Sequence, residues 1–472
     1  ARGTASSRSL RARLAALLAR TCDSLILTSA TPHDGSARSF ASLMNLLEPT
    51  AIADEENYNK ADIEGLFVRR TKKDVAASRG VRKHFPEREL TLERVPASEP
   101  EAAVFKALGE LELPSLQAGR GAVLFRTTLL KALLSSTAAC LQTVNNRIAT
   151  LERAAAKARE LFKTDPEAEG RARVTPEQRE ADAKALAELR TLLEACEAES
   201  SSKLAAVLKQ LKELGYKNGK PGRRVVIFSE RLETLAFLKE ELSARLKLSV
   251  GSKKTRKSKE DERILGQIET FVGSTPDVEQ GLLADDFGAE DGVIRILLAS
   301  DAASEGLNLH FQCSDMIHFD IPWSLITLEQ RNGRIDRFGQ EQTPQIRYLL
   351  QLPSADAERG ESEATAAGDL RVLDRLIAKE EEAKKNLGDA ADLMKLYDAS
   401  KEEEQVARAV QGEVKPEEVL PDTEDADEDF FMDLLGGGDE AGKSEEESSV
   451  ETVVPFSLMT SSAIATTCSR QI

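Results

Sequence analysis

Cysteine and aromatic residues are both scarce in this 472-residue chain: there are five cysteines, a single tryptophan, and 4% aromatics overall. Cys22, Cys140, Cys196, Cys313 and Cys468 form no C-x-x-C pair. That excludes a zinc ribbon and a disulfide framework, predicts no metal site, and fits a reducing, cytoplasmic compartment. No apolar run approaches the ~18 residues of a membrane span, and "ARGTASSRSL" at the start has no signal-peptide core, so no membrane partner is expected. The absence of an initiator Met implies a piece of a longer protein. Two nucleotide-binding signatures are absent as well: no G-x-x-x-x-G-K-[ST] loop occurs, and no Asp-Glu-x-His box.

What is present can still build a large soluble protein. The chain is 41% hydrophobic, enough to fill the cores of about two or three domains. Its formal charge of −17 is uneven: from Glu413 to Ile472 there are 16 acidic and three basic residues, a net of −13, which leaves −17 + 13 = −4 for everything before. That tail, with "GGG" at Gly436 to Gly438 and little periodicity, reads as disordered and solvated. Global acidity therefore does not exclude a nucleic-acid partner.

Four short, near-continuous apolar runs read as buried parallel strands: "LILTSA", "VVIFSE", "IRILLASD" and "MIHFD", with "IRYLLQL" a fifth. Helical patterns alternate with them. Leu232, Leu235, Leu238 and Leu242 make one apolar stripe, with Ser229 a candidate N-cap. The fold class is α/β, with a doubly wound parallel sheet over about residues 203–352. Residues 96–202, rich in Ala, Leu, Glu, Arg and Lys, predict a long helical insertion, and Leu186, Leu189 and Leu193 mark a stripe that seals one helix onto another. Helices are also expected between 353 and 412. A basic run, "GSKKTRKSKEDER", interrupts the sheet domain and fits either a phosphate contact or a solvated loop.

The chemistry concentrates at two places. After "IRILLASD" comes a loop at the carboxyl end of a parallel strand, where open α/β sheets bind ligands; it holds Ser300, Asp301, Glu305, Gly306 and Asn308. After the next strand, "EQRNGRIDRFGQ" sets Arg331, Arg334 and Arg337 at every third position, close to one face if the segment is helical. Guanidinium forks suit phosphate oxygens. A salt-bridged helix is the even alternative, since Glu329 and Asp336 are near.

Together these elements resemble the superfamily-two helicases. "SDAASEGLNL" and "QRNGRIDRFGQ" are similar to motifs V and VI, and the Gly-Gln ending points to the SWI/SNF branch. "LTSATPHDG" resembles motif III, "FVRRTKKDV" with "FPERE" resembles a segment particular to that branch, and "VVIFSE" stands in the place of motif IV. Within the branch, "FDIPWSLITLEQRNGRIDRFGQ" is closer to bacterial RapA-like proteins and to the helicase-like component of the DISARM anti-phage system.

The resemblance implies a second RecA-like lobe at 203–352, a partial first lobe at 1–95, and ATP held between lobes with Mg²⁺. It implies Arg337 and Arg334 at the γ-phosphate, with Gln330 closing their network. Ser29 and Thr31 would couple nucleotide state to lobe movement, along with Asp301, Gly306 and Asn308, while Phe228 and Ser229 would face nucleic acid. Arg69, Arg70, Lys72 and Asp74 would brace the lobes. The implied activity is ATP-driven translocation on double-stranded DNA, with an N-terminal ATPase lobe, defence-system proteins or RNA polymerase as partners. With both phosphate motifs absent, the chain by itself is expected to be inactive. The rival readings are a non-catalytic helicase-lobe binding module and an RNA polymerase recycling factor.

Overall fold

The computed structural model describes residues 10–28, 37–55, 58, 65–66, 86–116, 121–164, 174–254, 262–301, 308–353, 371–386, 399–410, 413–415 and 419. Two helices come first, α1 (Leu10–Thr21) and α2 (Ala37–Leu47). Residues 25–28, the described part of the predicted strand "LILTSA", carry no strand pairing, Ile26 is 86% exposed, and among the described residues no neighbouring strand lies beside them. A parallel strand needs partners for its backbone groups on at least one side, and an apolar run without them stays irregular.

The central sheet is built from β1 (Glu89–Pro96), β2 (Val225–Phe228), β5 (Ile268–Phe271), β6 (Ile296–Ala299), β7 (Asp315–His318) and β8 (Gln345–Leu352). Its order is β1-β8-β7-β2-β6-β5, with every pairing parallel. The register puts Val225 beside both Ile296 and Asp315. This is the expected doubly wound sheet, with one correction at its edge. The sequence reading ended the first-lobe remnant at residue 95, whereas Glu89–Pro96 runs parallel to all eight residues of β8. Arg88, just before it, is tied to Glu380 at 2.5 Å and Asp336 at 3.5 Å.

Both faces are covered, which is why the strands read as continuous apolar runs. On one face Val226, Phe228, Leu297, Ala299, Met316 and Tyr348 join a core that also holds the helical insertion. On the other, Val225, Ile227, Ile296, Leu298 and Ile317 pack against α7 (Ser202–Glu213) and α8 (Leu232–Leu246). The two-residue period of a strand sorts these side chains. All four β2 residues have zero exposure; truncating Ile227 to Ala would cost about 2–5 kcal/mol in lost burial and cavity.

The insertion comprises α3 (Glu99–Gly109), α4 (Gly121–Ser135), α5 (Thr137–Thr164) and α6 (Pro176–Glu194). Ser98 and Thr175 start α3 and α6 with capping boxes and Pro in the first turn. Leu186, Leu189 and Leu193 are almost fully buried within the shared core. One carboxylate closes the insertion: Glu101 accepts from Ser98 N at 2.9 Å and from Ser202 Oγ at 2.7 Å, tying its entry to the start of α7.

The described ends of the basic run form an antiparallel pair, β3 (Ser252–Lys254) with β4 (Glu262–Ile264). Its base is tight, since a Cβ on Gly266 would lie 2.4 Å from Gly251 N. After it come α9 (Asp277–Gly288), α10 (Leu325–Asn332), α11 (Arg371–Asn386) and α12 (Ala399–Val410). The last two bury Val372, Leu376, Val406 and Val410 in the insertion-side core. No described helix is long and apolar enough to cross a membrane.

Candidate functional site

The strand order reverses direction at β2 and β7, and the crevice beyond their carboxyl ends is where a doubly wound sheet ordinarily offers a ligand site. Here polar residues from four elements converge. Asp320, just past β7, accepts hydrogen bonds from Ser229 Oγ at 2.5 Å, Ser135 Oγ at 2.6 Å and Glu230 N at 3.1 Å. Ser135 ends α4, so the insertion fills this crevice. Burial alone would raise the Asp320 pKa, but Arg331, Lys203 and the two hydroxyls hold it below the usual carboxylate value.

Lys203 lies beneath, wholly buried, donating to Leu134 O at 2.7 Å and sitting 4.3 Å from the Phe319 ring centroid. Burial brings its pKa down to about 8 against the pull of Asp320, so it remains mainly charged at neutral pH. Beside it a narrow cleft is lined by Lys131, Glu230, Asp320 and Trp323. Lys131 bridges Glu230 at 3.0 Å and Glu403 at 2.9 Å. Burial pushes Glu230 up to about 6 despite Lys131.

These contacts correct the nucleic-acid assignment. Phe228 has zero exposure, and its ring stacks 6.2 Å from His318. Ser229 also has zero exposure, and its hydroxyl is committed to Asp320. Neither can face a nucleic acid in this arrangement. Ser229 is not the α8 N-cap either; Arg231 is.

The arginine row is divided rather than aligned. The α-helix α10 stops at Asn332, and Gly333 is its C-cap. Beyond it the chain tightens, with Arg334 N donating to Arg331 O and Ile335 N to Asn332 O, so the three arginines do not share one helical face. Arg331 is 1% exposed and grips Asp301 with both arms, Nε to Oδ1 at 2.5 Å and Nη2 to Oδ2 at 2.7 Å. Its Nη1 donates to Asp320 O at 3.0 Å. Although burial opposes its charge, Asp301 and Asp320 raise its pKa further. Asp301, expected at the nucleotide, is therefore engaged with Arg331.

A second polar chain runs from Arg331 along the sheet. His318 Nε2 lies 2.9 Å from Asn332 Oδ1. An amide oxygen only accepts, so the proton is on Nε2 and Nδ1 faces Arg331 Nη1 as an acceptor at 3.4 Å. Burial, then Arg331, pushes His318 down to about 3, so it is neutral at physiological pH. Asn332 Nδ2 donates to Tyr348 Oη at 2.7 Å and Glu380 Oε1 at 3.2 Å. His318, Asp320, Asn332 and Tyr348 escaped the sequence reading. The available signal was that polar residues close "MIHFD", an otherwise apolar strand whose faces are both covered.

Arg337 is the exposed member of the row, and its Nη1 donates to Asn308 Oδ1, a neutral acceptor. Among the described residues it pairs with no carboxylate. His310, 5% exposed, lies close by; burial and then Arg337 lower its pKa, so it adds no second positive charge near neutrality. Arg334 is half-buried on the same turn, and its carbonyl accepts from Leu309 N at 3.2 Å. Gln330 is half-buried on α10. The structure thus brings Arg337 to Asn308 and Arg334 to Leu309. Gly306, Ser29 and Thr31 lie outside the described residues, as do Arg69, Arg70, Lys72, Asp74 and most of the acidic tail.

A family model for the helicase conserved C-terminal domain matches residues 202–339, from the first residue of α7 to just past Arg337. Among curated proteins, an uncharacterized ATP-dependent helicase, YqhH of Bacillus subtilis, is 51% identical over 55 residues, 12% of this chain and 10% of that protein. The RNA polymerase-associated protein RapA of Yersinia enterocolitica is 41% identical over 69 residues, 15% of this chain and 7% of its own. The chain thus matches a tenth or less of the length of these relatives. Among solved structures, the SWI2/SNF2 ATPase core of Sulfolobus solfataricus in complex with dsDNA aligns with a TM-score of 0.36 and 16% identity, covering 80% of this chain and 63% of that one. Residues 202–339 of this chain are thus similar to the helicase conserved C-terminal domain, and shorter stretches of it to an ATP-dependent helicase and to RapA.

Proposed function

We propose that this chain supplies one jaw of an ATP-driven, SWI/SNF-type translocase on double-stranded DNA, with Arg337 as the guanidinium that meets the γ-phosphate. The carrying observation is the contrast within the row. Arg331 is neutralised by Asp301, whereas Arg337 is exposed and steadied by an uncharged amide. A permanently charged fork in that setting keeps its field for a ligand and can stabilise charge developing on a transferred phosphoryl group. Arg334 and Gln330 stand beside it as supporting contacts. Asn308 holds the Arg337 side chain, and Asp301 acts indirectly by fixing Arg331.

Among the described residues, the exposed Arg337 fits a phosphate oxygen. Among the described residues, no group of three or more His, Cys, Asp or Glu side chains could hold a metal ion. Both phosphate-cradling motifs are absent from the sequence. We propose that the phosphate loop and the Mg²⁺ ligands come from a partner ATPase lobe, with ATP closed between it and this chain. Ser29, Thr31 and Gly306 keep their proposed roles in coupling nucleotide state to lobe movement.

The test is DNA-stimulated ATP hydrolysis in the protein complete with that lobe. Arg337→Ala should lower turnover by about three to five orders of magnitude, as loss of such an arginine does in related phosphoryl-transfer enzymes. Undiminished turnover would refute the assignment. The similarity to RapA favours a second reading, recycling of RNA polymerase; co-purification with polymerase would support it.

A further inference from the structure

The C-terminal helices α11 and α12 grip both ends of the arginine segment, each through a buried carboxylate. At the front end, Glu402 of α12 has zero exposure, and its Oε2 accepts from Ser324 Oγ at 2.6 Å and Ile326 N at 3.2 Å. Ser324 is the N-cap of α10, and its hydroxyl oxygen accepts from Thr327 N at 3.2 Å. Glu402 therefore completes the cap from another helix, placing an acceptor oxygen where the unpaired backbone N–H groups of the first turn need one. At the far end, Glu380 of α11, 1% exposed, accepts from Asn332 Nδ2 at 3.2 Å and from Arg88 Nη2 at 2.5 Å. Arg88 in turn reaches Asp336 at 3.5 Å, the residue immediately before Arg337. The neighbouring Glu403 bonds Lys131 of α4 at 2.9 Å, so α12 joins the helical insertion to the front of α10.

We infer that Glu402 and Glu380 are positioning residues for the Arg334–Arg337 segment, and that α11 and α12 form a two-point clamp through which the insertion and the C-terminal helices set where those guanidiniums point. The effect on catalysis rests on the proposed ATP site; the clamp itself does not. A carboxylate that merely added to global stability would, when removed, loosen the sheet and the arginine segment alike. A positioning carboxylate loosens the segment and leaves the sheet intact.

Hydrogen exchange on the intact chain separates the two cases. Glu402→Gln should speed exchange across residues 325–337 about tenfold while strands 225–228 and 296–299 stay within about twofold of the wild type. Trp323, the single tryptophan, 2% exposed and adjacent to Ser324, should shift its emission to longer wavelength in the same variant. Ser324→Ala removes the other half of the bond with a smaller change; it should reproduce the exchange pattern and add little to Glu402→Gln in the double variant. In the ATP-hydrolysing protein, kcat should fall about tenfold with KM for ATP within about twofold. Unchanged exchange at 325–337, an equal rise throughout the sheet, or a KM defect with normal kcat would overturn the clamp. Absence of ATP hydrolysis by the wild-type protein complete with its ATPase lobe would sink the proposed function, and the exchange pattern would still decide the clamp.

Discussion

Arg331 and Arg337 are six positions apart on one segment and have opposite surroundings. Arg331 is 1% exposed, with a bidentate carboxylate, a carbonyl and a histidine around it. Arg337 is exposed, with an amide for company. The first spends its charge inside the protein, where removing one partner leaves the other buried and unpaired. The second keeps its charge at the surface, with no carboxylate paired to it among the described residues. A row of identical residues thus splits into a buried, carboxylate-paired part and an exposed part, and the split falls where α10 gives way to tighter turns.

The comparison is tested most severely by Arg331→Ala. It strands Asp301 and removes a donor from Asp320, and should cost about 3–5 kcal/mol of unfolding free energy by urea denaturation; a loss below about 1 kcal/mol would mean that Arg331 is not the keystone.

The pH dependence of the buried half comes next. The unfolded chain's His318 takes up a proton below about pH 6.5, whereas in the folded protein burial and Arg331 defer that to about 3. The unfolded state therefore binds more protons in this window, and stability is lost as pH falls through it, by up to about 1.4 kcal/mol per pH unit. Urea midpoints at pH 7 and pH 4.5 should separate more in the wild type than in His318→Gln.

Ser135→Ala leaves Asp320 with one hydroxyl fewer and should cost about 1–2 kcal/mol. A calorimetric scan that shows no change would separate the insertion from the polar seam. Arg337→Ala is the smallest change in stability, within about 0.5 kcal/mol, although its proposed effect on turnover is large. A thermal shift comparable to that of Arg331→Ala would erase the distinction between the two halves.

Three of the four apolar runs became β2, β6 and β7, and "IRYLLQL" became β8, because a strand covered on both faces must be apolar throughout, and that is visible residue by residue. The described part of "LILTSA", residues 25–28, has a similar composition and pairs with no strand among the described residues, because strand formation also requires a neighbour and composition carries no record of one. The edge strand β1 was assigned to the wrong unit for a related reason. "ELTLERVP" sits more than 200 residues from its partner β8, and nothing local names the partner. At the candidate site, the spacing of the arginines was legible, but their division was not. Gly333, Asp301 and Asp320 decide it, and two of those three lie on other elements. Phe228 and Ser229 were misread because position at a strand's carboxyl end does not reveal that Ser135 of the insertion would cover it.

By itself the sequence determined the kind of domain: apolar strands alternating with helices, the loop after β6, and the arginine segment that follows β7. Tertiary structure alone decided which charges are used up and which are kept. A guanidinium's role depends on whether a carboxylate is brought within about 3 Å and water is excluded, and the residues around Arg331 arrive from β2 and from the ends of β6 and β7.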